Sequence, residues 1–128
     1  MSERFDRGSE LLEQIHAGGG AQLVDALSDI APDLARYIVE FGFGDVYARP
    51  GLSLRDRQIA TVAALVALGT AQTQLVAHIE GALAVGVTRQ EIVEVIIQMA
   101  LYGGFPAAMN AVDAARTAFA AAAPVAEA

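Results

Sequence analysis

The chain has 128 residues, is 55% hydrophobic and carries a formal net charge of -7 at pH 7, which suits one folded domain with its own core. The negative charge disfavours nucleic acid and anionic membrane surfaces as partners, and no apolar run approaches the roughly 20 residues needed to cross a bilayer. Because cysteine is absent and all eight basic residues are arginine, the side chains can provide neither a thiolate nucleophile nor a lysine Schiff base.

The N-terminal part of the sequence predicts three helices and an ordered loop. An amphipathic helix over about 4–16 ends at three consecutive glycines, a short helix follows, and Pro32 opens a third. The third helix is predicted to bury three apolar residues at helical spacing: Leu34, Ile38 and Phe41. Turn residues bracket the aromatic stretch 42–51, which predicts an ordered loop.

Four more helices are predicted after this loop. Their approximate ranges are 53–68, 71–85, 89–102 and 106–120. The firmest boundary is the T-x-x-E pair Thr88 and Glu91, which is typical of a capping box. The pattern therefore predicts an all-α chain of about six to seven helices. We expect a single domain over 1–128, with its core at about 34–120 and a frayed tail at 121–128.

Two of these helices are apolar on nearly all sides, at 59–68 and 92–101. Such helices must be buried nearly all round, and a domain of this size hides one more easily than two. We therefore expect a homo-oligomer. The charged N-terminal sequence lacks the apolar core of a secretory signal, which predicts a cytoplasmic protein.

His78 and Arg57 are the sharpest candidates for chemistry. His78 has small and amide side chains as its helical neighbours, so the site has room for a ligand; the alternative is a partly buried histidine hydrogen-bonded across a helix pair. Arg57 lies at the foot of an apolar helix face, where its fork could bind a carboxylate, or where it could pair with a neighbour or reach solvent. Arg55 faces elsewhere, and we expect it to be solvated. With His16 as the other imidazole and no metal-ligand spacing, no metal site is predicted.

A polar stripe runs along the helix at 89–102. Glu94, Gln98 and Tyr102 are spaced four residues apart, so they share one face. They could line a cleft, or they could be the solvated side of the helix.

The sequence from about Arg36 to Ala118 resembles the carboxymuconolactone decarboxylase family. The matching motifs are R-P-G-L at Arg49–Leu52, the arginine at Arg57, H-x-x-x-A-L-x-x-G at His78–Gly86, T-x-x-E-I-x-E at Thr88–Glu94 and Y-x-G-x-P at Tyr102–Pro106. The resemblance implies a compact all-helical subunit in a ring-like homotrimer or homohexamer, with active sites near subunit contacts.

Within that family, the resemblance points to the decarboxylase branch. The branch of alkyl hydroperoxide reductase partners uses a C-x-x-C pair where this chain has Ala71 and Gln74, so its chemistry is excluded. The decarboxylases act on 4-carboxymuconolactone in aromatic catabolism without a cofactor, and many have glutamate where Gln74 stands here. The resemblance implies that Arg57 or Arg49 grips a substrate carboxylate.

The same resemblance assigns His78 as proton donor or oxyanion partner, and Gln74 and Tyr102 as residues that orient the substrate ring. Three functions remain open on the sequence. The first is decarboxylation of a small anionic carboxylated lactone, the second is another cofactor-free acid-base reaction on a carbonyl compound, such as isomerisation or ring closure, and the third is a non-catalytic oligomeric binding protein.

Overall fold

A computed structural model describes residues 2–122, and within that range every regular element is a helix. In chain order these are α1 (Glu3–Ile15), α2 (Gly19–Leu27), α3 (Pro32–Tyr37), a π-helix (Ile38–Tyr47), α4 (Leu54–Leu68), α5 (Gln72–Ala84), α6 (Arg89–Gly103) and α7 (Phe105–Ala121). The predicted all-α fold is confirmed. None of the described helices combines the length and apolarity that a membrane span requires.

The described residues form two compact units, which meet in sequence between Leu54 and Arg55. We call residues 2–54 the first unit and residues 55–122 the second unit. The single domain expected over 1–128 stays a prediction. The tail expected to be frayed lies outside the described residues from position 123 onward.

In the first unit, α1 packs directly against the π-helix. The two backbones approach so closely that a Cβ added to Gly8 would lie 2.0 Å from the carbonyl oxygen of Val39. The Nε of Arg7 donates a 2.7 Å hydrogen bond to the carbonyl oxygen of Gly44. Glycine at positions 8 and 44 therefore permits the contact, and an arginine satisfies a carbonyl within it.

Charged side chains on α1 reinforce this packing at the surface. Arg4 approaches Asp45 to 2.7 Å and Glu40 to 3.2 Å, and Arg7 lies 3.3 Å from Asp45. The hydrogen bond from Arg4 holds the pKa of Asp45 below its ordinary value. The end of the π-helix is thus tied to α1 by ion pairs as well as by backbone contact.

The structure corrects two expectations for the first unit. The stretch 42–51, predicted to be a loop, is helical as far as Tyr47. The residues buried on this segment are Ala35, Val39 and Phe43, whereas Leu34 and Phe41 are exposed by 48% and 62%. The buried side is the one against α1, whose backbone lies next to Val39 and Gly44, and this contact cannot be read from the local spacing of apolar residues.

The second unit is built around one apolar cluster to which all four of its helices contribute. Its largest completely buried apolar side chains are Val62 and Val66 of α4, Ile79 of α5 and Ile92 of α6. From α7 the cluster receives only alanines among its fully buried members. These small side chains let α7 pack closely against both α5 and α6.

The ends of the second unit's helices follow the sequence signals closely. Thr88 and Glu91 form the predicted capping box in both directions, with hydrogen bonds of 3.1 and 2.9 Å. Gly86 and Gly104, with φ of 100° and 94°, lie just beyond α5 and α6, where a left-handed conformation ends a helix without steric cost. The loops that separate α5, α6 and α7 are therefore short and firmly placed.

Candidate active site

A buried amide lies next to the candidate histidine. Gln58 of α4 is 0% exposed, and its Oε1 is 3.2 Å from Nδ1 of His78 on α5. The Nε2 atom of the same amide is also buried, and it has no hydrogen-bond partner among residues 2–122. Since buried polar side chains nearly always have their hydrogen bonds satisfied, Gln58 is an unusual residue of the second unit.

The fold places these two side chains together through the buried faces of α4 and α5. Gln58 occupies the same face of α4 as Val62 and Val66, one and two turns further on. His78 precedes the buried Ile79 and is itself partly buried, so its ring lies at the margin of the core. The pair is therefore held by core packing on one side, and the imidazole keeps some access to solvent.

Arg57 lies next to Gln58 on α4, and its side chain is partly buried. Its carbonyl oxygen accepts a 2.9 Å hydrogen bond from the hydroxyl of Thr61. The Arg57 guanidinium and the Gln58 amide that contacts His78 thus come from consecutive residues of α4.

Arg55 was expected to be solvated, and its partly exposed side chain is also ion-paired. Its guanidinium forms an ion pair with Glu91 at the start of α6, and both side chains are 38% exposed. The hydrogen bond from Arg55 and the backbone hydrogen bond of Thr88 hold the pKa of Glu91 below its ordinary value. The pair ties the first turn of α4 to the first turn of α6.

The remaining predicted site residues lie at the surface of their units. Gln74 is exposed on α5, one turn before His78. Glu94 is exposed on α6 and accepts a 3.0 Å hydrogen bond from Gln90, while Tyr102 at the end of α6 is 76% exposed. Arg49 belongs to the first unit, where its backbone N–H donates to the carbonyl of Val46. The structure thus joins His78 with Gln58, a contact that was not predicted.

Comparison with known proteins identifies the family of the chain. Residues 32–117 match the carboxymuconolactone decarboxylase family. The chain belongs to this family. The match covers α3, the π-helix, all of α4, α5 and α6 and most of α7, so it includes every candidate residue. The resemblance seen in the sequence motifs is confirmed.

Three known proteins are similar to the chain over most of their length. The 4-carboxymuconolactone decarboxylase of Acinetobacter baylyi is 32% identical over 121 residues, which are 91% of this chain and 87% of that protein. The nitrosuccinic acid decarboxylase of Metarhizium robertsii is 30% identical, covering 84% and 75%. An uncharacterised 15.0 kDa protein of Paracoccus denitrificans is 34% identical, covering 74% and 72%. Two decarboxylases among these relatives support a decarboxylase-like function.

Sequence reasoning selected His78 as a candidate but missed Gln58, and the observed contact fits the alternative interpretation of His78 as a partly buried histidine hydrogen-bonded across a helix pair. The available signal was a single amide on a helix face whose next two turns carry valines that the structure buries completely. A polar residue at that register is unusual enough to be marked as a candidate. Nothing in the sequence, however, shows that its partner is an imidazole twenty positions later, since that contact depends on how α4 and α5 pack.

Two further features bear on where a metal ion or a ligand could bind. Residues 2–122 contain no cluster of three or more histidine, aspartate or glutamate side chains that could hold a metal ion. An apolar groove of about 280 Å³ runs between α6 and α7. It is lined by Val93, Ile96, Ile97, Val112, Ala115, Arg116 and Phe119. Neither His78 nor Gln58 contributes to this groove.

Proposed function

We propose that the chain is a cofactor-free decarboxylase of a small anionic acid of the carboxylated lactone type. The observation that supports this most strongly is the similarity, over 91% of the chain, to a protein that is a 4-carboxymuconolactone decarboxylase. The arrangement of the second unit agrees with such a reaction, because an imidazole and a guanidinium belong to the same compact body. One can exchange a proton, and the other can bind a carboxylate.

The reaction requires little from the protein because the substrate accepts its own electrons. When the carbon–carbon bond to the departing carboxylate breaks, carbon dioxide leaves. The electron pair moves through the ring double bond into the lactone carbonyl, which gives a dienolate. A proton must then be added at the carbon next to that carbonyl. The protein has to hold the acid, stabilise the dienolate oxygen and deliver the proton.

His78 and Arg57 are the residues to which we assign these tasks. His78 delivers the proton or donates a hydrogen bond to the developing oxyanion, and Arg57 binds a carboxylate through its planar fork. Arg49 is the alternative carboxylate ligand, while Gln74, Glu94 and Tyr102 are assigned to the substrate-binding surface. Lysine and cysteine are not needed at any step, which agrees with their absence from the chain.

The test is turnover of 4-carboxymuconolactone by the purified protein, followed by its ultraviolet absorbance and by identification of the product. We expect His78→Ala to lower kcat by about a hundredfold or more, since acid-base groups typically contribute that much. Arg57→Gln should raise KM by about tenfold or more if it binds the ground-state acid. The matched controls are His16→Ala and Arg116→Gln, which should keep wild-type rates. No turnover by micromolar wild-type enzyme would refute the proposal.

The similarity to a nitrosuccinic acid decarboxylase supports a second candidate within the same chemistry. A nitro group, like a conjugated lactone, accepts the electron pair that a departing carboxylate leaves behind. The chain would then act on another acid that has its own electron acceptor. Offering both acids to the enzyme separates the candidates, because the preferred substrate is the one with the higher kcat/KM.

A further inference from the structure

The contact between Gln58 and His78 indicates which nitrogen of the imidazole bears the proton. A side-chain carbonyl oxygen only accepts hydrogen bonds, so the 3.2 Å contact from Oε1 to Nδ1 requires a proton on Nδ1. A neutral imidazole has one N–H, and in this arrangement its Nε2 holds a lone pair. The amide thus selects one of the two tautomers of His78.

We propose that Gln58 is a positioning residue that fixes His78 in the Nδ1–H tautomer, which makes Nε2 the nitrogen that exchanges protons with the substrate. The role of that proton rests on the proposed function, whereas the tautomer itself does not. Complete burial of Gln58 confines the amide to few orientations, so it can hold the ring in one position.

The opposite orientation of the amide is the competing arrangement. If the Oε1 and Nε2 atoms were exchanged, the amide would donate to Nδ1, and the proton of the imidazole would lie on Nε2. A buried carbonyl oxygen would then lack a partner in place of the buried Nε2. The structure has Oε1 and not Nε2 toward Nδ1, and the two orientations require opposite tautomers of His78.

The reaction uses this tautomer in a specific way. With Nδ1–H fixed on Gln58, only Nε2 gains a proton when the imidazole becomes charged. That proton is the one that His78 returns to the carbon next to the lactone carbonyl. After the transfer the imidazole is again neutral in the same tautomer, so no ring flip is needed between turnovers.

The first measurement is the nitrogen-15 NMR spectrum of the full-length protein above the titration of its imidazoles. The chain has two histidines, so His78→Ala assigns the signals. We expect a protonated, pyrrole-type shift at Nδ1 of His78 and an unprotonated, pyridine-type shift at Nε2. In Gln58→Leu the Nε2–H tautomer should increase, and in Gln58→Glu, which keeps an acceptor oxygen, the wild-type pattern should persist.

The second measurement is steady-state kinetics of the same variants with whichever acid the wild type consumes. Gln58→Leu should lower kcat by about tenfold or more and leave KM within about twofold, because the substrate is bound but the acid-base group is misplaced. Gln58→Glu should recover part of that loss. The control is Gln72→Leu, which removes an exposed amide that donates to the carbonyl of Asn110 and should change neither the His78 spectrum nor kcat.

A pyridine-type Nδ1 in the wild type overturns the proposal, and so does an unchanged kcat in Gln58→Leu. The spectrum of the wild type decides the question even if Gln58→Leu does not fold. Should the wild type consume neither acid and still show the Nδ1–H pattern, the proposed function fails and the positioning role of Gln58 stands.

Discussion

The Glu91 side chain takes part in two interactions, a helix cap and an ion pair. Its side chain closes the capping box with Thr88 at the start of α6 and also pairs with Arg55 of α4. A residue that caps one helix is therefore also the anchor of another. Since Gln58 lies one turn beyond Arg55, this ion pair also fixes the part of α4 that holds the amide against His78.

This double role predicts an acid-sensitive contribution to stability. The pKa of Glu91 is lowered in the folded protein, first by Arg55 and then by Thr88, so the unfolded chain binds more protons. Its contribution is therefore present above the ordinary carboxyl pKa and is lost as the pH falls through the lowered value. In Glu91→Gln, urea unfolding between about pH 5 and pH 3 should show a smaller loss of stability than in the wild type.

Arg55→Gln is the matched variant for this measurement. It removes the larger cause of the lowered Glu91 pKa and leaves the Thr88 hydrogen bonds. The pH dependence of the stability of Arg55→Gln should therefore fall between those of the wild type and Glu91→Gln. Identical pH dependence in all three proteins would contradict the assignment.

At the scale of helices, the contact of α1 with the π-helix predicts a strong effect of a single methyl group. Gly8→Ala would place its Cβ 2.0 Å from the carbonyl oxygen of Val39, and backbone cannot move aside as a flexible side chain can. We expect a loss of about 1–3 kcal/mol or more in the free energy of unfolding. The control is Gly42→Ala in the same π-helix, where a Cβ meets nothing within 4 Å and where stability should change by less than about 1 kcal/mol. Equal stability of the two variants in urea unfolding would show that this contact is looser than described.

The same segment shows what could and could not be predicted from sequence. Helix ends that depend on local chemistry were predictable, as the capping box at Thr88 and the opening proline at Pro32 show. The π-helix was not, because Gly42 and Gly44 also signal a turn. Only the approach of α1 accounts for Gly44, where an added Cβ would lie 2.3 Å from the carbonyl oxygen of Arg4. Contacts between distant segments leave no local pattern.

The candidate site divides in the same way. His78 stood out because histidine is rare in this chain and its helical neighbours are small. Gln58 did not stand out, because a glutamine in a helix is ordinary until its burial is known. The ion pair of Arg55 was not anticipated, because its partner Glu91 was already explained as a cap. Residue type suggested the candidate histidine, and only packing revealed the amide that contacts it.

For the molecule as a whole, the exposed apolar residues of the second unit predict self-association. A row of large apolar side chains follows α6 and continues along α7, all at least 39% exposed. Its members are Val93, Ile97, Leu101, Phe105, Met109 and Val112. Monomeric proteins seldom leave such a continuous surface in water. This agrees with the expected homotrimer or homohexamer.

Sedimentation velocity tests this expectation. The wild type should have a sedimentation mass three or six times the 13.3 kDa of the chain. The double variant Ile97→Glu, Leu101→Glu should shift strongly toward monomer, because charges would be buried at the contact between subunits. The control is Ala26→Glu, at an exposed position of α2, which should keep the wild-type mass. A wild type that sediments as a monomer would exclude the assembly.

Because the Gln58 amide is uncharged, its contact with His78 should respond to salt concentration differently from the ion pairs at the surface. Dissolved ions screen exposed charges over a distance of about 8–10 Å at physiological ionic strength. The pairs that join Arg4 to Asp45 and Arg55 to Glu91 are partly exposed, so concentrated salt weakens them. An uncharged dipole enclosed in the core offers nothing for mobile ions to screen. The contact between the Gln58 amide and the imidazole is thus not itself screened by dissolved ions, whereas the Arg55–Glu91 pair that helps to place this part of α4 is.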